Sequence, residues 1–182
     1  MCLATAEAGE DNEIEAALKV VELLDLTGAI VTADALHCHH RMASAIAAKG
    51  GDYVLALKAN RHHWHRAAEA AFAGDAPRLA AAMRDIAHGR REWRRAEVMA
   101  TTPLCEGHKA FLRITARRDD AEPTVRLYMA SRLFTPKEAL AITRAQGIEP
   151  QKLLEALQPN ANFSPLIGMK LLDLCQREIE RV

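Results

Sequence analysis

Two short apolar runs constrain this chain more than anything else in it. Ala29 to Ala33 and Tyr53 to Leu57 are nearly continuous apolar stretches of strand length, the pattern of strands buried on both faces in a parallel sheet. Between them Met42, Ala45, Ile46 and Ala48 recur at helical spacing, and Gly50-Gly51 supplies a stop. The spacing predicts a strand-helix-strand crossover. Such a crossover is right-handed with parallel strands, so both carboxyl ends share one edge of the sheet. Asp34 and Lys58 follow those two ends. Open α/β sheets place their chemistry at the carboxyl edge, which makes this carboxylate and ammonium a candidate site.

Residues 23 to 36, Leu-Leu-Asp-Leu-Thr-Gly-Ala-Ile-Val-Thr-Ala-Asp-Ala-Leu, and residues 50 to 60, Gly-Gly-Asp-Tyr-Val-Leu-Ala-Leu-Lys-Ala-Asn, carry a resemblance. Together they resemble the central block of ISAs-type insertion-sequence transposases, members of the DDE class with a ribonuclease H-like core. Two later blocks agree. His88-Gly89-Arg90-Arg91-Glu92 is similar to the family's His-Gly-Arg-Ile-Glu, and residues 126 to 131, Arg-Leu-Tyr-Met-Ala-Ser, are similar to the strand before its last catalytic helix. The match runs over roughly residues 12 to 149 with order and spacing kept in four blocks.

The resemblance implies several roles. Asp34 would be the second of three acidic ligands to Mg²⁺ or Mn²⁺, and Glu149 the third. The family's first aspartate lies on an earlier strand, before this chain begins; Asp11 and Asp25 do not replace it. The expectation is therefore an incomplete acidic triad and no strand cleavage by this chain alone. The third-ligand motif, His-Trp-x-Ile-Glu-Asn, survives only as Gly147-Ile148-Glu149, with Pro150 in place of the asparagine. Proline there disfavours helical geometry at Glu149. The other reading is a non-catalytic remnant that binds DNA or associates with a full-length transposase. On that reading the absent first strand leaves a sheet edge unpaired, which favours homo-oligomers.

Length gives one domain with room for a core: 182 residues. Acidic and basic residues number 24 each, for zero formal charge. That balance argues against a free-standing DNA binder, whose affinity rests on neutralising phosphates, though not against a local basic patch. Cys2, Cys38, Cys105 and Cys175 lie far apart with no Cys-x-x-Cys pair, so neither a zinc ribbon nor a disulfide framework is indicated. A reduced cytoplasm fits this usage. No apolar run of about eighteen residues occurs, and the N-terminus lacks a signal-peptide pattern.

Taken in order, the periodicity predicts a helix from Asn12 with Asn12 as N-cap, then the crossover. His37, Cys38, His39 and His40 follow the first strand, and His62, His63 and His65 follow the second. Such residues can bind Zn²⁺ or another borderline metal, or can simply be polar residues at solvated helix starts; a histidine metal site would use His37 and His62. Lys58 and Asn60 would contact DNA phosphate or orient a metal-bound water, or else end a strand and cap a helix. Residues 61 to 73 and 76 to 86 read as helices around a Gly-Asp-Ala-Pro turn.

Arg90, Arg91, Arg94 and Arg95, with Trp93 between them, can hold a phosphate backbone and stack on a base; alternatively they guard a hairpin edge. Runs at 94 to 101, 110 to 117 and 124 to 131 predict three antiparallel strands, matching the family's β-rich insertion, here about 92 to 132. Thr135-Pro136-Lys137-Glu138 starts a helix, and another is expected from about Pro165 to Arg181. The expected fold is α/β: an incomplete ribonuclease H-like domain over 1 to 149, with a parallel core and β-rich insertion, then a divergent helical tail over 150 to 182.

Overall fold

The structure, a computed structural model, describes residues 13–58, 62–74, 78–87, 90–145 and 166–168. A single mixed sheet of seven strands organises it, in the order β3-β4-β5-β6-β2-β1-β7. The parallel part consists of β1 (Ile30–Ala33), α2 (His40–Ala48) and β2 (Asp52–Leu57). β1 and β2 pair in parallel from Ile30 against Asp52 to Ala33 against Leu55, so the crossover forms as the apolar runs require. Two glycines make its return possible. Gly50 adopts φ +73° beyond the end of α2, and a Cβ on Gly51 would lie 2.8 Å from that of Leu26. Only hydrogen fits at Gly51 without moving the segment that leads into β1.

The antiparallel part is a meander of four strands, β3 (Leu79–Ala87), β4 (Arg90–Ala100), β5 (Ala110–Arg118) and β6 (Thr124–Ala130), with β6 also antiparallel to β2. Alternation along these strands sends side chains to two different layers. One face packs against α1 (Glu13–Leu23), α2 and α3 (His62–Ala73) through Val31, Tyr53, Leu55, Phe111 and Met129. The opposite face packs against α4 (Pro136–Ala145) through Val54, Val98, Leu112, Tyr128 and the α4 residues Ala139, Leu140 and Ile142. The result is a sheet between helical layers. No helix among the described residues is long and apolar enough to cross a membrane.

α4 is tied down at both ends. Thr135 and Glu138 form a capping box, Thr135 Oγ1 accepting from the Glu138 N–H at 3.3 Å and Glu138 Oε2 from the Thr135 N–H at 2.7 Å. Arg132 links Glu138 to Asp52 on β2, and Ser131 Oγ accepts the Tyr53 N–H while donating to Asp52 Oδ1. At the far end Arg144 pairs with Asp85 of β3 at 2.5 Å. α4 thus crosses its face diagonally, from the β2 side to the β3 side.

Three expectations change. Residues 76 to 86 are expected to be helical, yet 79–87 form β3, whose nine residues all pair with β4, the next strand in sequence; that ladder overrides a weak helical propensity. The β-rich segment consequently has four strands rather than three and starts near residue 79. The helix expected from Pro165 is also replaced at its start, because Leu166–Gly168 form β7, parallel to β1. That strand occupies the side of β1 expected to be unpaired. The Asn12 cap and the remainder of the tail lie outside the described residues.

Candidate functional site

Asp34 stands one residue beyond β1 and Lys58 one residue beyond β2, both exposed. Because these strands are neighbours and parallel, the two side chains share the carboxyl edge of the sheet, as the crossover predicts. Asp34 Oδ1 accepts the Leu36 N–H at 3.0 Å. This Asx-type turn fixes the carboxylate and leaves Oδ2 uncommitted by it. Asn60 and Glu149 lie outside the described residues. The last turn of α4, which in sequence leads toward Glu149, is anchored over β3 by Arg144, five strands from β1 in sheet order and so about 24 Å away across the sheet.

Three of the clustered histidines have structural partners. His39 Nδ1 accepts the Met42 N–H at 3.2 Å as the N-cap of α2. His37 is buried and reaches Glu13 of α1 at 3.3 Å, while His65 pairs with Glu69 one turn along α3. Cys38 is buried in the core. Among the described residues no group of three His, Cys, Asp or Glu side chains could hold a metal ion. The side chain of His62 lies outside those described, and a histidine metal centre finds no support among the described residues.

The arginine block does not form a single patch. Trp93 pairs across the ladder with Arg84 and Arg117, and Arg95 with Ala82 and Thr115, all on the face that α3 partly covers. Arg91 has the same parity on β4 and is exposed, with its backbone N–H bonded to Asp119 Oδ1. Arg94 points to the α4 face, where its guanidinium bonds Glu92 at 2.8 Å. Arg90 opens β4 opposite Ala87. A strand alternates, so a run of arginines that looks continuous in sequence is divided between two layers.

On the α3 face Trp93 and Arg95 help to line an open groove of about 710 Å³, together with Arg78, Glu97, Arg113 and Val125 among others. At its floor Glu97, 5% exposed, meets three guanidiniums: Arg113 at 2.7 Å, Arg95 at 3.5 Å and Arg78 at 3.9 Å. The Arg113 hydrogen bond holds the Glu97 carboxyl below the usual range. Arg113 also stacks over Phe72 of α3 at 4.7 Å. One carboxylate against three cations leaves this floor net positive, a surface suited to an anion. Arg78 and Arg113 were not singled out from sequence, since only the fold brings them to Glu97.

The transposase DDE domain family matches residues 1–146 of this chain. YncI of Escherichia coli O157:H7, named as a candidate transposase, is 30% identical over 174 residues, covering 84% of this chain and 44% of YncI. YhhI of Escherichia coli K12, named as a candidate transposase associated with the H repeat, is 28% identical over 160 residues, covering 77% of this chain and 42% of YhhI. An uncharacterized protein from the dhlA 3′ region of Xanthobacter autotrophicus is 34% identical over 119 residues, 60% of this chain and 40% of its own. The chain spans less than half the length of these relatives. No solved structure matches it. With most of its length covered by that one family, the chain belongs to the DDE transposases of insertion sequences.

Proposed function

We propose that this chain forms part of the strand-cutting and strand-joining domain of an insertion-sequence transposase, ribonuclease H-like at its core. The observation that carries the reading is the placement of Asp34 and Lys58 at the same carboxyl edge of a parallel crossover. In this reading Asp34 is one carboxylate ligand to Mg²⁺ or Mn²⁺ and Lys58 neutralises a phosphate beside it. Glu149 remains the proposed further ligand. Arg91 and Arg95, with Trp93, hold DNA along the open face of the meander; Arg90 and Asn60 are proposed to assist, whereas Arg94, engaged by Glu92 under the α4 layer, contributes little.

The described residues do not make a complete metal centre, since Asp34 has no second and third ligand among them. What this chain's own residues do is fix one carboxylate at the edge and present cations to a phosphate backbone. DDE chemistry needs several carboxylates around divalent ions, so the chain alone is expected not to cut DNA and to act with further carboxylates, supplied for instance by association with a full-length transposase.

The test uses Fe²⁺ in place of Mg²⁺. Hydroxyl radicals generated at a bound ion should cut the polypeptide near residue 34, and Asp34→Asn should suppress that cut. A cleavage pattern unchanged by the substitution overturns the assignment. In a DNA-binding titration against salt, Arg95→Ala should lower the slope by about one, the signature of one lost phosphate contact.

A further inference from the structure

The sheet ends on one side at β3, and no described residue pairs with its outer edge. This strand is nine residues long and pairs with β4 without a bulge. Leu79 is 51% exposed, and Ala80 and Ala82 are exposed beside it. Edges of this length are ordinarily blunted by lysine, proline, a bulge or inward-pointing charge. β3 has none of the first three, and its two charged residues are Arg84 and Asp85, of which Asp85 is engaged by Arg144.

We propose that β3 is a self-association edge, pairing antiparallel with β3 of a second copy about a two-fold axis through Met83. The occupant follows from side-chain complementarity. A two-fold axis perpendicular to the sheet keeps each face on its own side, so opposed residues must share a face, and the axis must pass through a residue. Centred on Met83, all nine residues pair: Leu79 with Ala87, Ala80 with Ile86, Ala81 with Asp85 and Ala82 with Arg84. Each charged residue then faces an alanine. A centre at Arg84 sets arginine directly against arginine, which is unfavourable, and a centre at Ala82 pairs fewer residues of the strand.

The same symmetry keeps the α3 faces of both copies on one side. Arg84, Trp93 and Arg95 of one copy then adjoin those of the other, doubling the arginine surface while the two Asp34 edges point in opposite directions. The pairing itself does not depend on DNA binding. It also differs from the oligomer expected from an unpaired flank of β1, because β7 lies there.

Charge reversal at one exposed position tests both the interface and its register. In the complex, residue 82 of each copy faces Arg84 of the other. Sedimentation equilibrium of the 182-residue chain should show a dimer. Ala82→Lys, which sets two like charges opposite each other per dimer, should weaken it about tenfold or more, while Ala82→Glu should keep or tighten it. Circular dichroism checks that both variants are folded. A wild-type monomer at about 100 µM overturns the proposal; so does dissociation by both variants, or by neither.

Discussion

The parallel crossover and the antiparallel meander share one sheet but are stabilised differently. In β1 and β2 both faces are buried, and the side chains are almost wholly apolar: Val31, Tyr53, Val54 and Leu55 are all but inaccessible. The meander is apolar where α4 and the helical layer cover it and charged where they do not, with Glu97 and its three arginines at the boundary. A crossover held by packing offers one precise edge for a carboxylate. A meander held partly by ion pairs offers a broad cationic surface. On the proposed function, positioning and attraction fall to different halves of the sheet.

Removing the anion should break this division most severely. Glu97→Ala leaves Arg78, Arg95 and Arg113 crowded without a counter-charge. The expected cost is about 3 kcal/mol, toward the low end for a broken buried pair because the arginines are partly exposed. Thermal denaturation should show a midpoint lower by roughly 6–12 °C, and a shift of only a degree or two would mean the cluster is solvated. Its pH dependence has a definite sign. The folded pKa is depressed, so the contribution is present above the ordinary carboxylate range and is lost as pH falls through the lowered value.

A smaller effect is expected from the crossover. Gly51→Ala places a methyl group 2.8 Å from Leu26 Cβ, and overpacking of this kind costs about 1–3 kcal/mol. Denaturant titration should give a lower midpoint with an unchanged slope, and an unaltered midpoint would show that Leu26 yields freely.

The smallest effect sharpens the comparison by pH alone. His108 is fully buried before β5; its Nδ1 accepts the Leu104 N–H at 3.2 Å and its other nitrogen bonds Ala110 O at 3.1 Å. Burial lowers its pKa. The unfolded chain then takes up this proton first, so stability is level above about pH 6.5 and declines below it until the folded value is reached. Melting at about pH 7.5 and about pH 5.5 should show a larger loss for the wild type than for His108→Asn. Equal losses would place the acid-sensitive group elsewhere.

The sequence made the crossover legible because its signals are local: two apolar runs, a helical stripe and two glycines within about thirty residues. Asp34 and Lys58 came with it, since their place depends only on strand direction. β3 was illegible for the opposite reason. Ala80, Ala81 and Ala82 suit a helix by their own propensity, and their strand form is set by the ladder to the adjoining β4 rather than by any alternation of their own. The arginine block was recognisable as charge, but only the register divides Arg94 from Arg91 and Arg95. His39 as a cap and His37 as a partner of Glu13 needed the fold as well, the second because it joins residues 24 positions apart.

The two neighbours of β1 differ greatly in how far the chain must travel to reach them. Ile30 meets Asp52 after 22 residues and Leu166 after 136. Closing the longer loop costs about 1.6 kcal/mol more in chain entropy, set against only three paired residues in β7. With only three paired residues, β7 is expected to be lost in local opening ahead of β2. Backbone amides along that side of β1 should then exchange with solvent sooner than those facing β2, making the flank of the sheet that ends at Asp34 the one most readily opened and re-paired.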